Sequence, residues 1–228
     1  ANIPYKIVGG INFYARREIK DLLCYLKTID NGKDDLAVRR VINVPKRGIG
    51  LTSINRVQDY AAAYDIGFYD ALLSADAIPN IGRGLSKLES FVALIEHFKV
   101  DAKDMTLSDL MQEILDVTGY IDSLMAEGPE EAEARIENID ELRSKIATYE
   151  ETCEENNEPA TLNGFLEEVA LVADIDSLDE DTDYVVLMTL HSAKGLEFSH
   201  VYLAGLEDGI FPSYMTITAD SPEELEEE

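Results

Sequence analysis

The chain has little of what staples or anchors a protein from outside its core. Of 228 residues two are cysteine, Cys24 and Cys153, and no Cys/His spacing suits a metal, which excludes a disulfide framework and a zinc ribbon. No apolar run approaches the ~20 residues of a membrane-spanning helix, and nothing reads as a signal peptide. The expected setting is a reduced, cytoplasmic one with no membrane partner. Positive charge is scarce too, with 19 Lys and Arg against 46 Asp and Glu, net −27. That balance excludes a protein whose whole surface wraps nucleic acid, because each phosphate nearing an acidic face is repelled. Also missing is a G-x-x-x-x-G-K-[ST] phosphate loop: the one Gly-Lys pair, Gly32-Lys33, lacks the upstream glycine and runs into Asp34. Without that cradle no catalytic set is complete in these residues.

What is present is a chain with 46% apolar residues, enough for a real core in one large domain or two small ones. Its charge is uneven. Residues 1–60 carry 11 Lys/Arg against 6 Asp/Glu, and residues 61–228 carry 8 against 40. Contacts with phosphate are therefore expected from the N-terminal quarter.

The interior reads as helix. Ile19, Leu22, Leu23 and Leu26 fall at i, i+3, i+4, i+7; Leu88, Phe91, Val92 and Ile95 repeat the spacing, as do Leu107, Leu110, Met111 and Ile114. A Glu-rich stretch over 130–157 with a thin stripe of Ile136, Ile139, Leu142 and Ile146 predicts a long helix with one buried face. Residues 156–161 break it, 162–172 form another helix, and an acidic linker over 174–183 follows. Strands are expected at 5–8, 184–189 and 200–204, so the sheet elements sit at the two chain ends with a helical insertion between them. The acidic tail, 220–228, reads as frayed.

Two segments align at an offset of 34 residues: Pro45-Lys46-Arg47-Gly48-Ile49-Gly50-Leu51-Thr52-Ser53-Ile54 and Pro79-Asn80-Ile81-Gly82-Arg83-Gly84-Leu85-Ser86-Lys87-Leu88. Both read P-x-x-G-x-G-L-[ST]-x-[IL], and each resembles a helix-hairpin-helix. Paired glycines permit a tight turn, and Thr52 or Ser86 stands where a hydroxyl is expected to cap the next helix. Missing Cβ atoms let backbone N–H groups approach a phosphate at a helix N-terminus, so such hairpins position a duplex without reading bases. The expected duplex contacts are Lys46, Arg47, Gly48, Ile49, Gly50 and Thr52 in the first unit, with Arg39 and Arg40 adding charge. In the second they are Gly82, Arg83 and Gly84. The alternative for each unit is a purely structural corner, and the second has more acidic surroundings.

Residues 185–198, Val-Val-Leu-Met-Thr-Leu-His-Ser-Ala-Lys-Gly-Leu-Glu-Phe, run an apolar strand into a turn dense with polar groups. This run resembles helicase motif V of the UvrD/PcrA/Rep family of superfamily 1 DNA helicases, close to L-M-T-x-H-x-[AS]-K-G-L-E-F. The likeness continues through Val201 to Pro212. Residues 9–21, Gly-Gly-Ile-Asn-Phe-Tyr-Ala-Arg-Arg-Glu-Ile-Lys-Asp, resemble the segment that opens the helical 2B subdomain of that family.

The resemblance implies a mainly α fold: a 2B insertion domain with helix-hairpin-helix-like repeats, plus a small β remnant of a RecA-like α/β motor domain formed by the chain ends. Residues 1–9 would be a strand of motor domain 2A, 10–181 the 2B subdomain, and 182–228 the return into 2A. In the parent enzyme, motif V implies Thr189 and His191 on single-stranded DNA and Gly195 with Glu197 at ATP. Lys194 contacts phosphate or braces the turn against an acidic neighbour. Ser213 stands where the family often has histidine. His97 and His200 are expected to be structural, and no metal site is expected. The parent would use ATP and Mg2+, with neither bound to this piece alone, and would pair it with the remaining helicase domains. The implied activity is that of an ATP-dependent 3′-to-5′ DNA helicase. The alternatives are a non-enzymatic acidic adaptor that binds a protein partner, and a helicase-nuclease of the same superfamily. Because the phosphate loop is missing from these residues, the 228-residue chain alone is expected to hydrolyse no ATP. A phosphate-release assay with and without single-stranded DNA should read at the buffer blank.

Overall fold

The apolar spacing sets the helices. In the computed structural model, which describes residues 5–8, 13–175, 185–209, 211, 212 and 214–218, helices run at α1 (Arg17–Asp30), α2 (Asp35–Val41), α3 (Leu51–Tyr64), α4 (Phe68–Leu73), α5 (Leu85–Asp101), α6 (Leu107–Thr118), α7 (Tyr120–Glu127), α8 (Pro129–Glu155) and α9 (Leu162–Ile175). The three predicted stripes lie on the inward faces of α1, α5 and α6. Ile19, Leu22, Leu88, Phe91, Ile95, Leu110, Met111 and Ile114 are all fully buried. The thin stripe of α8 is buried as well at Ile139, Leu142 and Ile146, and its Glu-rich faces are left to solvent. Helix α1 is the hub, packing against α2, α5, α8 and α9.

Helix ends use local chemistry. Asp34 caps α2 by accepting from the Ala37 N–H at 3.0 Å, and Thr106 caps α6 by accepting from the Asp109 N–H at 3.1 Å. The α6 N-terminus gains a second acceptor from across the core. Glu150 on α8 takes the Leu107 N–H at 2.6 Å and the Ser108 N–H at 3.2 Å, placing a carboxylate at the positive end of the helix dipole.

The conspicuous polar feature of the core is on α1. Glu18 and Asp21 are buried among apolar neighbours, which a carboxylate tolerates only with donors at hand. Asp21 has two: Arg40 Nε on α2 donates to Oδ1 at 2.6 Å, and the Tyr120 hydroxyl on α7 donates to Oδ2 at 2.8 Å. Glu18 accepts from Asn138 Nδ2 on α8 at 2.6 Å, and Asn138 Oδ1 in turn accepts from Arg16. The segment Arg16-Arg17-Glu18-Ile19-Lys20-Asp21 thus encodes a joint among α1, α2, α7 and α8.

The chain divides into two compact units, Ile11–Asp183 and the pair Ala1–Gly10 with Tyr184–Glu228. In the second unit β1 (Tyr5–Val8) pairs in parallel with β2 (Val185–Met188), Tyr5 opposite Val185 and Val8 opposite Met188. Short helices α10 (Leu190–Ala193) and α11 (Tyr214–Ile217) follow. The strand expected over 200–204 is not formed. Val201, Tyr202 and Leu203 are exposed, and no strand among the described residues offers that backbone a ladder. The start of the expected acidic linker is the last turn of α9. Its remainder, the Gly9-Gly10 turn, Ser213 and the acidic tail lie outside the described residues.

Burial raises the Tyr120 hydroxyl above the ordinary tyrosine range, and the Asp21 carboxylate raises it further; burial also raises Tyr25 and Tyr69. The folded chain holds these protons more tightly than the unfolded chain, whose tyrosines titrate near ~10. Their stabilisation is therefore complete below about pH 10 and is lost as pH rises beyond it. Tyr120→Phe should cost about 1–3 kcal/mol at neutral pH by leaving Asp21 Oδ2 without a donor. It should also flatten the alkaline fall, both read from urea melts on either side of pH ~10.

Candidate nucleic-acid interface

The first glycine hairpin is built around Asn43. Its Oδ1 accepts from the Arg47 N–H at 2.8 Å and the Ile49 N–H at 3.3 Å, while its Nδ2 donates to the Ile49 carbonyl at 3.3 Å. Gly48 turns the chain at φ +69°, a conformation that L side chains rarely adopt. Ile49 plugs the core with 3% of its surface exposed. Gly50, extended at φ −75° and ψ 152°, is the N-cap of α3, and its carbonyl accepts from the Ser53 and Ile54 N–H groups at 2.9 and 3.2 Å. Thr52 therefore lies inside the first turn rather than at the cap, and Ser86 lies likewise behind the N-cap Gly84 of α5. Neither hydroxyl caps its helix, because each helix begins one residue after the second glycine.

This arrangement leaves a row of donors facing solvent. Among the described residues no partner takes the N–H of Gly48, Gly50, Leu51 or Thr52, all of them exposed. Lys46 beside them is exposed and unpaired. Arg47 and Ile49 correct the sequence expectation. The Arg47 guanidinium points inward, with Nη1 donating to the carbonyls of Val41, Ile42 and Val44 at 2.8, 3.3 and 3.2 Å. Its Nη2 donates to the Tyr25 hydroxyl, and the group lies 5.5 Å from the Phe91 ring centroid. Ile49 has both its side chain and its N–H turned inward. Arg40 is held by Asp21, and Arg39 donates to Gln58 Oε1 at 3.1 Å. Among the described residues Lys46 is exposed with no partner, and exposed Arg39 keeps its charge because its partner is a neutral amide.

The second unit repeats the backbone. Gly82 has φ +56°, matching Gly48, and Gly84 caps α5 as Gly50 caps α3. Its donors differ. The Gly84 N–H is bonded to the Ile81 carbonyl at 3.2 Å and the Leu85 N–H to the Gly82 carbonyl, closing a 3-10 turn over Gly82–Gly84. Arg83 is exposed and has no partner among the described residues. The two units also hold each other. Lys87 Nζ donates to the Gly48 carbonyl at 2.7 Å, Arg56 on α3 donates to the Asn80 carbonyl, and Gly84 abuts Ser53. Ser53 and Lys87 occupy the same repeat position, and each meets a glycine of the other unit.

In the strand-bearing unit, Thr189 stands between β2 and α10, with its carbonyl accepting from the Ala193 N–H at 3.0 Å. Gly195, at φ +81°, closes the turn after α10, and Lys194 and Glu197 are exposed on it. Among the described residues Lys194 has no acidic partner, so the bracing alternative finds none there. His191 is in α10, and its side chain lies outside what is described. Thr189, Lys194, Gly195 and Glu197 thus share one strand-helix-turn segment.

The profile of the UvrD-like helicase C-terminal domain matches residues 1–228, the whole chain. The chain belongs to the UvrD-like helicase C-terminal domain family. The chain is 42% identical over 234 residues to the ATP-dependent DNA helicase PcrA of Bacillus subtilis (strain 168), all of this chain aligning with 31% of that protein. It is 42% identical over 228 residues to PcrA of Staphylococcus epidermidis and 41% to PcrA of Staphylococcus aureus, again over all of the chain and 31% of theirs. The chain therefore spans about a third of the length of these curated relatives.

The sequence of this UvrD-like domain does not single out Asn43, and it places Lys87 beside the second hairpin without showing its contact with the first. An Asn ahead of a Pro-x-x-Gly turn is a readable signal for side chain-to-backbone bonding; Lys87 had none, since its partner is 39 positions away. His97 sits between Asp101, 3.3 Å from Nδ1, and Glu113 of α6, 3.6 Å from Nε2. This is the one grouping with metal-ligand chemistry among the described residues, and it links α5 to α6 at a half-exposed position. Adding a Cβ at Gly84 would collide with Ser53 Oγ and lie 3.0 Å from its Cβ. Gly84→Ala should therefore destabilise the UvrD-like domain by about 1–3 kcal/mol through overpacking. In a double-mutant cycle, Ser53→Gly should make the pair less damaging than the sum of the single changes.

Proposed function

We propose that the chain is part of an ATP-dependent 3′-to-5′ DNA helicase of the repair or replication type, and that its helical unit engages duplex DNA through the Gly48 hairpin. On this reading residues 1–9 and 182–228 belong to motor domain 2A and 10–181 form the 2B subdomain. The observation that carries the duplex assignment is the row of exposed N–H groups at Gly48, Gly50, Leu51 and Thr52, which with Lys46 beside them have no partner among the described residues. Backbone donors at a helix N-terminus take phosphate oxygens irrespective of base, as a translocating enzyme requires. Gly82, Arg83 and Gly84 have fewer donors to offer, and Arg83 adds a charge at the margin.

The segment 189–197 suits the nucleotide and single-strand sites of the whole enzyme. Thr189, His191 and Lys194 would face single-stranded DNA, and the exposed Glu197 beside the Gly195 turn would accept from ribose hydroxyls of ATP. ATP would supply the free energy for motor-domain closure, with its Mg2+ and phosphates held by residues of the remaining helicase domains. The acidic-adaptor reading draws on the 40 Asp and Glu of residues 61–228, which repel DNA from other faces.

Gly50 separates the two readings. A Cβ there meets nothing within 4 Å, and the backbone conformation accepts alanine, so Gly50→Ala should leave the melting temperature unchanged. A methyl group among the donors should nevertheless weaken duplex binding about tenfold, the scale of removing one hydrogen bond to a phosphate. Lys46→Met should lower the slope of log K against log salt by about 0.9. Fluorescence anisotropy with a labelled duplex reads both, and absence of binding by the unaltered chain at low salt would instead favour the adaptor.

A further inference from the structure

We infer that Lys87, from the second repeat, is a positioning residue that aims the first hairpin's free N–H groups. This rests on the duplex reading of that hairpin. The Gly48–Ile49 peptide is gripped at both ends: its carbonyl accepts from Lys87 Nζ at 2.7 Å, and its N–H donates to Asn43 Oδ1 at 3.3 Å. A peptide is planar, so two grips set its orientation. The peptides on either side carry the unpartnered Gly48 and Gly50 N–H groups, so N–H directions alternate: Arg47 inward, Gly48 free, Ile49 inward, Gly50 free. Fixing the middle peptide therefore directs both free donors.

Gly48 makes the contact sterically possible. A Cβ there would lie 2.9 Å from Lys87 Nζ, at a φ that disfavours any side chain, so the ammonium reaches the carbonyl only past a glycine. The approach of α5 is held independently by Gly84 against Ser53 and by Arg56 on the Asn80 carbonyl. Lys87 is otherwise exposed and makes no other hydrogen bond or ion pair among the described residues. A lysine serving the core alone would have its ammonium shielded; this one stands at the surface, on the carbonyl of the very turn that presents the donors. The second repeat thus completes the first hairpin's site while two of its own corresponding donors, the Gly84 and Leu85 N–H groups, are bonded internally.

The test uses the 228-residue chain with Lys87→Met and Lys87→Arg, a labelled duplex over a salt series, thermal melts, and the Gly48 carbonyl 13C shift without DNA. Lys87→Met should bind duplex about tenfold more weakly, because the free Gly48 and Gly50 N–H groups lose their fixed direction. Its salt slope and melting temperature should be unchanged, and the Gly48 carbonyl shift should move. Lys87→Arg should restore most of both the affinity and the shift. A salt slope lowered by about 0.9 would mean that Lys87 itself meets a phosphate, and would overturn the positioning role. So would unchanged duplex binding by Lys87→Met, with the hairpin reading still standing. If the unaltered chain binds no duplex at low salt, the hairpin reading falls and takes this inference with it, a result distinct from the other two.

Discussion

The helical unit hangs on one buried carboxylate. Asp21 sits on α1, the helix that packs against α2, α5, α8 and α9, and its two oxygens draw a guanidinium from α2 and a phenol from α7. Apolar faces pack in several rotations at similar cost, whereas a desolvated carboxylate with two specific donors leaves one arrangement satisfied. Glu18, one turn earlier, adds the same demand toward α8 through Asn138. Of these two side chains it is Asp21 that ties α2 to α1, through Arg40, and α2 leads directly into the Gly48 hairpin. The hairpin inherits its placement from a contact in the core.

The helices were legible because burial imposes a period on them, and the stripes on α1, α5, α6 and α8 appear where the spacing put them. The glycine repeat was legible for a similar reason: Gly48 and Gly82 share a left-handed backbone that few other residues tolerate. Partnership was not. Arg47 reads as a surface charge in sequence, yet carbonyls freed at the end of α2 and two aromatic rings draw it inward. Lys87 reads as a cation beside the second hairpin, yet its ammonium meets the first. Both placements share a cause, since charge is a property of a residue and the acceptors that claim it belong to distant segments. The 200–204 run shows the converse: its apolar pattern predicts a strand, yet it joins no ladder among the described residues, so pattern alone does not make one.

The two repeats share a backbone and differ in what their donors meet. Both have the glycines and a helix that starts after the second one. In the second a 3-10 turn takes up the Gly84 and Leu85 N–H groups, and its ninth residue, lysine, reaches across to the first. In the first the ninth residue, serine, is small enough to seat Gly84.

The parallel pairing of β1 with β2 carries a topological consequence. With Tyr5 opposite Val185 and Val8 opposite Met188, the chain leaves one strand at the end opposite to where it rejoins the other. Antiparallel strands accept a two-residue link, but a parallel pair needs a connection that travels back along the strand, ordinarily about a dozen residues or more. The helical unit therefore occupies the place of a single crossover helix. Trimming it away would require a linker of that length, and a tight turn spliced in its stead would reverse the polarity of the sheet.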